Sequence, residues 1–447
     1  MEKKRVALEN LGCKLNYAET IQIEKEFRRR GFTVVDPSAS ADVYVINTCT
    51  VTQSADSDCR QIVRRALRTS PEAFVVVTGC YAQGKPDEVA RIEGVDLVLG
   101  TREKLNVFDY VGDFRKQKTS INEHESDVLT NYHARVFVGP VKDAVEFGAA
   151  DSAEIGTRTR AFLKVQDGCN YNCSYCTIPK VRGVSRSPSV GLLVDQAKEI
   201  AAHRFKEIVL SGVNVGDFQN HNGDSFFKLL TELEKVHGIE RIRISSIEPN
   251  LLTKDIIKFV GSSAKYCQHF HVPLQSGSDV ILRRMRRRYN SSQYRKILEF
   301  VKEVMPNAGI GADVIVGFPG ETGQLFEDSF NFMENLPLSY LHVFTFSERE
   351  GTDAAGLDGM VDPRVRKKRS EIMRILSAKK RYEFGRQHVG KIMKVLVEEE
   401  VKNGKMFGFT SNYVRVEMEQ NSSKVNELCD VLITGVSDTT VIGRVIL

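Results

Sequence analysis

The sequence predicts an α/β protein in three parts: a parallel α/β domain over 1–112, a full or partial (β/α) barrel over 156–385, and a small antiparallel β-barrel over 386–447. Three observations predict it. Short, wholly apolar runs alternate with amphipathic helical stretches near the N-terminus, which is the pattern of strands covered on both faces. The same alternation repeats over about 230 residues in the middle of the chain. The last stretch loses its helices and keeps short strands punctuated by glycine and asparagine.

In the first part, Val6-Ala7-Leu8, Val43-Tyr44-Val45-Ile46 and Phe74-Val75-Val76-Val77 read as buried strands, and Gln61 to Leu67 reads as a helix. Residues 113–155 are polar and irregular, with Lys116, Gln117 and Lys118 followed by Glu123, His124, Glu125, Ser126 and Asp127. This segment reads as a linker or surface excursion, with Ala134-Arg135-Val136-Phe137-Val138 as a candidate strand. In the central part Glu207–Leu210, Arg241–Ile244, Phe270–Val272 and Ala312–Val316 read as strands, and Val194–His203 and Tyr294–Val304 as helices. In the tail Met393–Val397, Tyr413–Val416 and Val431–Ile433 read as strands, with Gly404, Gly408, Asn412 and Gly435 as punctuation.

The 447 residues are 41% hydrophobic and 27% charged, an ordinary globular composition with length for about three domains. A formal net charge of +5 permits a polyanionic partner without requiring one. No apolar segment follows Met1-Glu2-Lys3-Lys4-Arg5, and no run approaches the roughly 20 residues that span a bilayer. The expectation is a cytoplasmic protein with no membrane association. In a reducing compartment its nine cysteines are expected to be metal ligands or catalytic groups before disulfides.

Cys169, Cys173 and Cys176 are spaced C-x3-C-x2-C beside Gly168. Thiolates hold iron–sulfur clusters, usually four to a cluster. Three with no near fourth leave one iron open to a small molecule. Zinc wants four ligands and none is close by; buried thiols do not suit so loop-like a context. The spacing, with Tyr175 before the third cysteine, resembles the radical S-adenosylmethionine (SAM) superfamily. There the open iron chelates the SAM amino and carboxylate groups, and reduction releases a 5′-deoxyadenosyl radical. By the same resemblance Gly212 and Asn214, in Leu210-Ser211-Gly212-Val213-Asn214, stand where the SAM amino group is held, with Asn214 replacing a common acid. Ser246 and Glu248 end another strand, where Glu248 is placed to bind a ribose hydroxyl or the amino group. Gly317, in Val316-Gly317-Phe318-Pro319-Gly320, lets backbone approach a nucleoside. Each of these is equally readable as a plain strand-to-helix turn.

Cys13, Cys49 and Cys80 are far apart in sequence, but each follows a strand by three or four residues. Parallel strands gather their C-terminal ends along one edge, so the three can converge there. The competing reading is that they are small buried residues. Cys59, Cys267 and Cys429 fit that description and carry no assigned role.

Gly12-Cys13-Lys14-Leu15-Asn16, Asn47-Thr48-Cys49-Thr50-Val51 and Thr78-Gly79-Cys80 resemble the N-terminal, Rossmann-like domain of the methylthiotransferases. His271-Val272-Pro273-Leu274-Gln275-Ser276-Gly277-Ser278 and Asp313 to Glu321 resemble their radical SAM domain, which adds Gln275 and Asp313 as cofactor-binding candidates. The tail resembles a TRAM domain, a small RNA-binding barrel. Lys14 and Leu15, with Tyr17-Ala18-Glu19-Thr20, are most similar to the subgroup acting on threonylcarbamoyl-adenosine, not to those acting on isopentenyl-adenosine or on a ribosomal-protein aspartate. Asn172 stands where many members carry Phe.

The resemblance implies two [4Fe–4S] clusters, held by Cys169, Cys173 and Cys176 and by Cys13, Cys49 and Cys80. The second is an auxiliary cluster carrying the sulfur to be delivered. It implies SAM as methyl donor and radical source, and transfer of a methylthio group to C2 of adenosine 37 in the tRNA anticodon stem-loop. A flavodoxin or ferredoxin is the implied reductant; no sulfur donor is named. Adenine C2–H offers nothing to a general base, and an unpaired loop base costs least to splay into a pocket. Arg283 to Tyr289 and Arg364 to Arg369 are either phosphate contacts or solvated helix faces. Phe407, Phe409 and Tyr413 are either stacking platforms or barrel core. A non-catalytic iron–sulfur RNA-binding protein is the rival outside the enzyme class.

Overall fold

The computed structural model describes residues 3–49, 53–116, 134–144, 146–152, 159–220, 222–437 and 440–446. The stretch from Glu123 to Asp127, and Thr50 and Val51 of the second cysteine motif, lie outside these residues. The chain divides into two compact units: residues 1–154 with 167–170 and 177–186, and residues 155–166 with 171–176 and 187–447. The start of the cysteine loop and the segment after it therefore group with the first unit, and the C-terminal barrel groups with the central strands.

The first unit holds a six-stranded parallel sheet in the order β2-β1-β3-β4-β5-β6. Its strands are β1 (Arg5–Asn10), β2 (Thr33–Val35), β3 (Val43–Thr48), β4 (Phe74–Gly79), β5 (Leu97–Leu99) and β6 (Arg135–Phe137). Every residue of β3 and β4 is buried. Their alternate side chains feed two cores. Val43, Val45, Phe74 and Val76 pack with Ile23 and Phe27 of helix Lys14–Arg29. Ile46, Val75 and Val77 pack with Cys59 and Val63 of helix Gln53–Thr69. Each such side chain contributes about 1.5–3 kcal/mol relative to exposure. Within the 113–155 segment, β6 is the edge strand of this sheet, pairing Val136 with Val98 of β5.

The second unit contains two parallel three-stranded sheets: β7 (Arg160–Lys164), β8 (Glu207–Ser211) and β9 (Arg241–Ile244), then β10 (His269–His271), β11 (Gly309–Val316) and β12 (Tyr340–Thr345). Isolated parallel bridges, Ile242 to Tyr266 and Ser246 to His271, join β9 to the segment entering β10 and to β10 itself. The result is an open wall of six strands, so the barrel is partial. Side-chain caps start the covering helices: Ser189 before Val190–Ala202, Ser225 before Phe226–Glu234, Thr253 before Lys254–Ser262 and Thr322 before Gly323–Glu334. Asn290 and Gln293 form a reciprocal capping box at Ser291–Val304.

The tail closes into a five-stranded barrel of β13 (Ile392–Lys402), β14 (Lys405–Thr410), β15 (Arg415–Glu419), β16 (Leu428–Val436) and β17 (Val441–Val445), ordered β13-β14-β15-β17-β16. Its pairs are antiparallel except β15 with β17. Two expectations are corrected here. Tyr413 is not in a strand: it has φ +68° and sits in the turn before β15. Gly408 lies inside β14, where an added Cβ would be 2.4 Å from the Leu396 carbonyl oxygen of β13. Strands β13 and β14 and the turn before β15 pack against the central part of the same unit. Arg241 of β9 donates to the Phe409 carbonyl at 2.8 Å and the Lys394 carbonyl at 2.6 Å. Asn412 donates to the Asn307 carbonyl at 2.8 Å.

Candidate functional site

Cys13, Cys49 and Cys80 leave the C-terminal ends of three adjacent strands, β1, β3 and β4. The register pairs Asn10 with Asn47 and Thr48 with Gly79, so Cys49 and Cys80 each follow a paired position by one residue. Neighbouring strands lie about 4.8 Å apart. Cys13 is the N-cap of helix Lys14–Arg29. Glycines permit the convergence. A Cβ on Gly12, at φ +129°, would lie 2.8 Å from Cys49 Cβ and 3.2 Å from Cys49 Sγ. A Cβ on Gly79, at φ +98°, would lie 2.4 Å from the Thr48 carbonyl oxygen. The set grades outward: Cys80 is buried, Cys49 half-buried and Cys13 exposed. Burial holds the Cys80 thiol above its ordinary value, with Arg182 and Lys104 offsetting only part of the rise.

Asn16, three residues past Cys13, spans the gap between the first two cysteines. Its amide donates to the Leu11 carbonyl at 3.2 Å and the Thr48 carbonyl at 2.9 Å. Its Oδ1 lies 3.7 Å from Cys13 Sγ and accepts from Arg182 Nη2 at 2.5 Å. Arg182, fully buried, also pairs with Glu19 at 3.1 Å and Asp167 at 2.9 Å. Lys104 pairs with Glu19 at 2.7 Å, and Arg186 with Asp167 at 2.9 Å. Nothing in the sequence pointed to this network, because Arg182 and Glu19 are 163 residues apart.

The C-x3-C-x2-C loop is divided between the units. In the first, Cys169 donates its N–H to the Gly183 carbonyl at 3.0 Å. Gly168, at φ +69°, packs so closely that a Cβ would meet the Val184 carbonyl oxygen at 2.0 Å. In the second, the Cys176 N–H donates to the Cys173 carbonyl at 3.1 Å. Arg287 Nη1 lies 3.1 Å from Cys173 Sγ and 3.4 Å from Tyr175 Oη, and the same guanidinium pairs with Glu248. Burial pushes the Cys173 thiol up and Arg287 pulls it down. Tyr175 meets Phe318 edge-on at 6.3 Å.

The other candidates cluster at strand ends of the second unit, the usual site edge of such folds. Gly212 and Asn214 follow β8. A Cβ on Gly212 would sit 3.0 Å from Gln166 Oε1, which also accepts the Asn214 N–H at 2.9 Å. Asn214 is 3% exposed, and among the described residues neither its Oδ1 nor its Nδ2 has a hydrogen-bond partner. A buried amide left so costs about 1–3 kcal/mol unless something fills it. Ser246 bridges to His271, and Glu248 holds Arg287. Gln275, at φ +69°, donates its N–H to the Asp313 carbonyl at 2.7 Å. Asp313 accepts from His271 Nε2 at 2.9 Å and lies 3.3 Å from His342 Nδ1. Burial pushes the Asp313 carboxyl up, but the two imidazoles hold it well below the usual carboxylate range. Gly317 donates its N–H to Glu321 Oε2 at 2.7 Å, and the side chain that crowds its α-carbon is Arg366. The sequence reading missed His342; it gives no local signal, since strand pairing alone sets it opposite Asp313.

Five residues of the two basic runs are in ion pairs within the protein. Arg284 pairs with Asp358, Arg286 with Asp353 and Arg287 with Glu248. Arg366 and Arg369 are buried against Glu348 and Glu321. Phe407 is buried in the barrel, with the Arg415 guanidinium 4.2 Å from its ring centre. Phe409 and Tyr413 stack at 4.8 Å, with Arg160 and Arg243 over their rings at 4.8 and 4.7 Å. At Arg287, Arg366, Arg369 and Phe407 burial favours ion pairing and packing over phosphate contact or base stacking.

Two segments of the chain match known families. Residues 5–100 match the family described as "Uncharacterized protein family UPF0004", and residues 163–333 match the Radical SAM superfamily. A Bacillus subtilis protein named threonylcarbamoyladenosine tRNA methylthiotransferase MtaB is 38% identical over 434 residues, covering 96% of this chain and 93% of that one. The chain belongs to the radical SAM methylthiotransferases. A second member of the family, from Fusobacterium nucleatum and named tRNA-2-methylthio-N(6)-dimethylallyladenosine synthase, is 31% identical over 99% of this chain and 100% of its own. Among solved structures, the radical SAM methyltransferase TsrM from Kitasatospora setae superimposes with a TM-score of 0.58 at 13% identity, covering 90% of this chain and 79% of that one, a likeness of fold alone.

As a radical SAM methylthiotransferase, the protein is an enzyme that uses an iron–sulfur cluster and SAM. Its residues fit them. The Asn214 amide, without a partner among the described residues, offers N–H donors and a carbonyl acceptor, which suit the carboxylate and amino groups of an amino acid moiety such as that of SAM. Among the described residues no helix is long and apolar enough to cross a membrane.

Proposed function

We propose that the protein transfers a methylthio group to C2 of N6-threonylcarbamoyladenosine at position 37 of tRNA, 3′ of the anticodon, using two [4Fe–4S] clusters. Cys169, Cys173 and Cys176 would hold one, and Cys13, Cys49 and Cys80 the other. The observation that carries this is the convergence of the second set at the ends of β1, β3 and β4, with Gly12 packed on Cys49. A purely SAM-cleaving enzyme has no need of it. The substrate follows from the near full-length relatives named for threonylcarbamoyladenosine.

Clusters and SAM together supply the radical and the sulfur. The chain's own residues do the rest. Asn214 orients the amino acid end of SAM. Glu248 and Arg287 fix the Cys173 side of the loop. His271, Asp313 and His342 present a polar wall, which suits a threonylcarbamoyl group better than an apolar isopentenyl one. Ser246, Gln275, Gly212, Tyr175 and Gly317 line or shape the same strand ends. The tRNA binds through its anticodon stem-loop in the cytoplasm, and a flavodoxin or ferredoxin supplies electrons.

Nucleoside mass spectrometry of tRNA from a deletion strain tests this. Loss of the methylthio form, with threonylcarbamoyladenosine accumulating, is expected. Unchanged tRNA overturns the proposal, and loss of a methylthio-isopentenyl nucleoside reassigns the substrate.

A further inference from the structure

Three adjacent strands of the second unit bring two imidazoles and a carboxylate to one point. The register sets Asp313 of β11 beside His342 of β12, and His271 of β10 beside Gly311, two residues before Asp313. Alternate residues of a strand share a face, so the three side chains leave β10, β11 and β12 on the same side. Each offers one ligand atom, and these atoms all lie within 4.8 Å of one another. His271 Nε2 and His342 Nδ1 stand 2.9 and 3.3 Å from the same oxygen, Asp313 Oδ1. The two rings lie with centroids 5.0 Å apart, 30° from parallel, so both present an edge to that oxygen. Ligand atoms about 2.1 Å from one ion stand about 3.0–3.4 Å apart at octahedral or tetrahedral angles, and the observed separations match.

A hydroxyl beside the cluster orients His271. The Tyr340 ring fills the place that a side chain on Gly311 would take, since a Cβ there would lie 2.2 Å from Tyr340 Cζ. Tyr340 Oη then stands 3.5 Å from His271 Nδ1 and 2.9 Å from His269 Nε2. With Nδ1 turned to a hydroxyl, Nε2 is the nitrogen left for Asp313, which is how metal-ligating histidines are commonly held. An ion has a way in. The His342 side chain is 50% exposed, and with Tyr340 it lines a cavity of about 260 Å³.

We propose that His271, Asp313 and His342 form a binding site for a divalent first-row transition metal ion. Two imidazoles and one carboxylate, with the remaining positions open to water or another oxygen donor, suit such ions; Mg²⁺ and Ca²⁺ take oxygen ligands instead. The site uses none of the six assigned cysteines. It depends neither on which nucleoside is modified nor on what Cys13, Cys49 and Cys80 hold.

The test titrates the full chain, with its clusters reconstituted anaerobically, with Mn²⁺ in excess Mg²⁺. The room-temperature electron paramagnetic resonance signal of the hydrated ion reports what stays free. The parent is expected to bind one Mn²⁺, and Zn²⁺, higher in the affinity order, should release it. His342→Gln should weaken binding at least tenfold, because even the partners of metal ligands are worth roughly 10–100-fold. Its iron content should equal the parent's. His342→Asp, which restores a ligand atom, should bind within tenfold of the parent. No Mn²⁺ on the parent, equal binding by the parent and His342→Gln, or bound Mn²⁺ that Zn²⁺ does not release overturns the proposal. Should His342→Gln lose iron or melt early, His342→Asp decides: retained Mn²⁺ supports the site and its loss overturns it.

Discussion

Arg287 points Nη1 at the Cys173 sulfur from 3.1 Å while its other nitrogen pairs with Glu248. An arginine in the middle of the most basic run of the chain is thus 3% exposed and belongs to the cysteine loop, not to solvent. Removing it strands a carboxylate that is itself only 14% exposed. Arg287→Met is expected to cost about 3–5 kcal/mol of stability and to lower iron retention. Arg283→Met, outside these pairs, should change neither. Chemical denaturation of the anaerobically purified protein reads the first effect and iron analysis the second.

Two clusters set an iron count. Wild-type protein purified without oxygen should carry about eight irons and as many sulfides, from two four-iron cubes. The Cys13/Cys49/Cys80→Ala variant and the Cys169/Cys173/Cys176→Ala variant should each retain about four. A wild-type value near four, with the first variant unchanged, would falsify the auxiliary site.

Asn214 carries a buried amide with no hydrogen-bond partner among the described residues. Replacing it with Leu, of similar size, removes a desolvated polar group, so stability should hold or rise. SAM binding should weaken by roughly tenfold or more, the loss of one or two hydrogen bonds at about 1–3 kcal/mol. Calorimetric titration of the reconstituted enzyme with SAM distinguishes this from a residue that merely packs.

His388, 1% exposed, accepts from the Asn412 amide at 3.2 Å. Burial, with Lys391 and Lys302 nearby, pushes its pKa down from the usual 6.5 to about 4. The neutral ring is the form the fold accepts. Its contribution is therefore complete above pH 6.5 and is lost as pH falls through 4. The stability gap between wild type and His388→Gln should shrink as pH drops from 7 to 4. A gap constant over that range would show that the ring does not titrate there.

Gly309 of β11 leaves no room on its Asn412 side, where an added Cβ would lie 2.1 Å from a carbonyl oxygen. Backbone cannot step aside as a flexible side chain does. Gly309→Ala should cost about 1–3 kcal/mol by overpacking. Gly323→Ala, with open space around it, should cost nothing measurable by thermal melting.

Much of this molecule was written locally. The apolar runs of β3 and β4 identify strands covered on both faces, because burial on each side leaves no polar position to break the run. The sequence reading passed over β2 and β5, of three residues each, and also the longer β7, β12, β14 and β17. Tyr413 looked like part of a strand but occupies a turn at φ +68°, where its ring fills the space between Phe409 and Arg243.

The sequence by itself determined the buried strands such as β3 and β4, the spacing of Cys169, Cys173 and Cys176, and the position of Cys13, Cys49 and Cys80 behind three strands. These follow from side-chain periodicity and short-range geometry, which a linear chain carries openly. Only the tertiary structure decided which charges meet. Arg182 finds Asn16 across 166 residues, and Arg287 finds Cys173 across 114. An arginine reads alike in sequence whether it faces phosphate, water or a buried carboxylate, because its partner is chosen by the packing of distant elements.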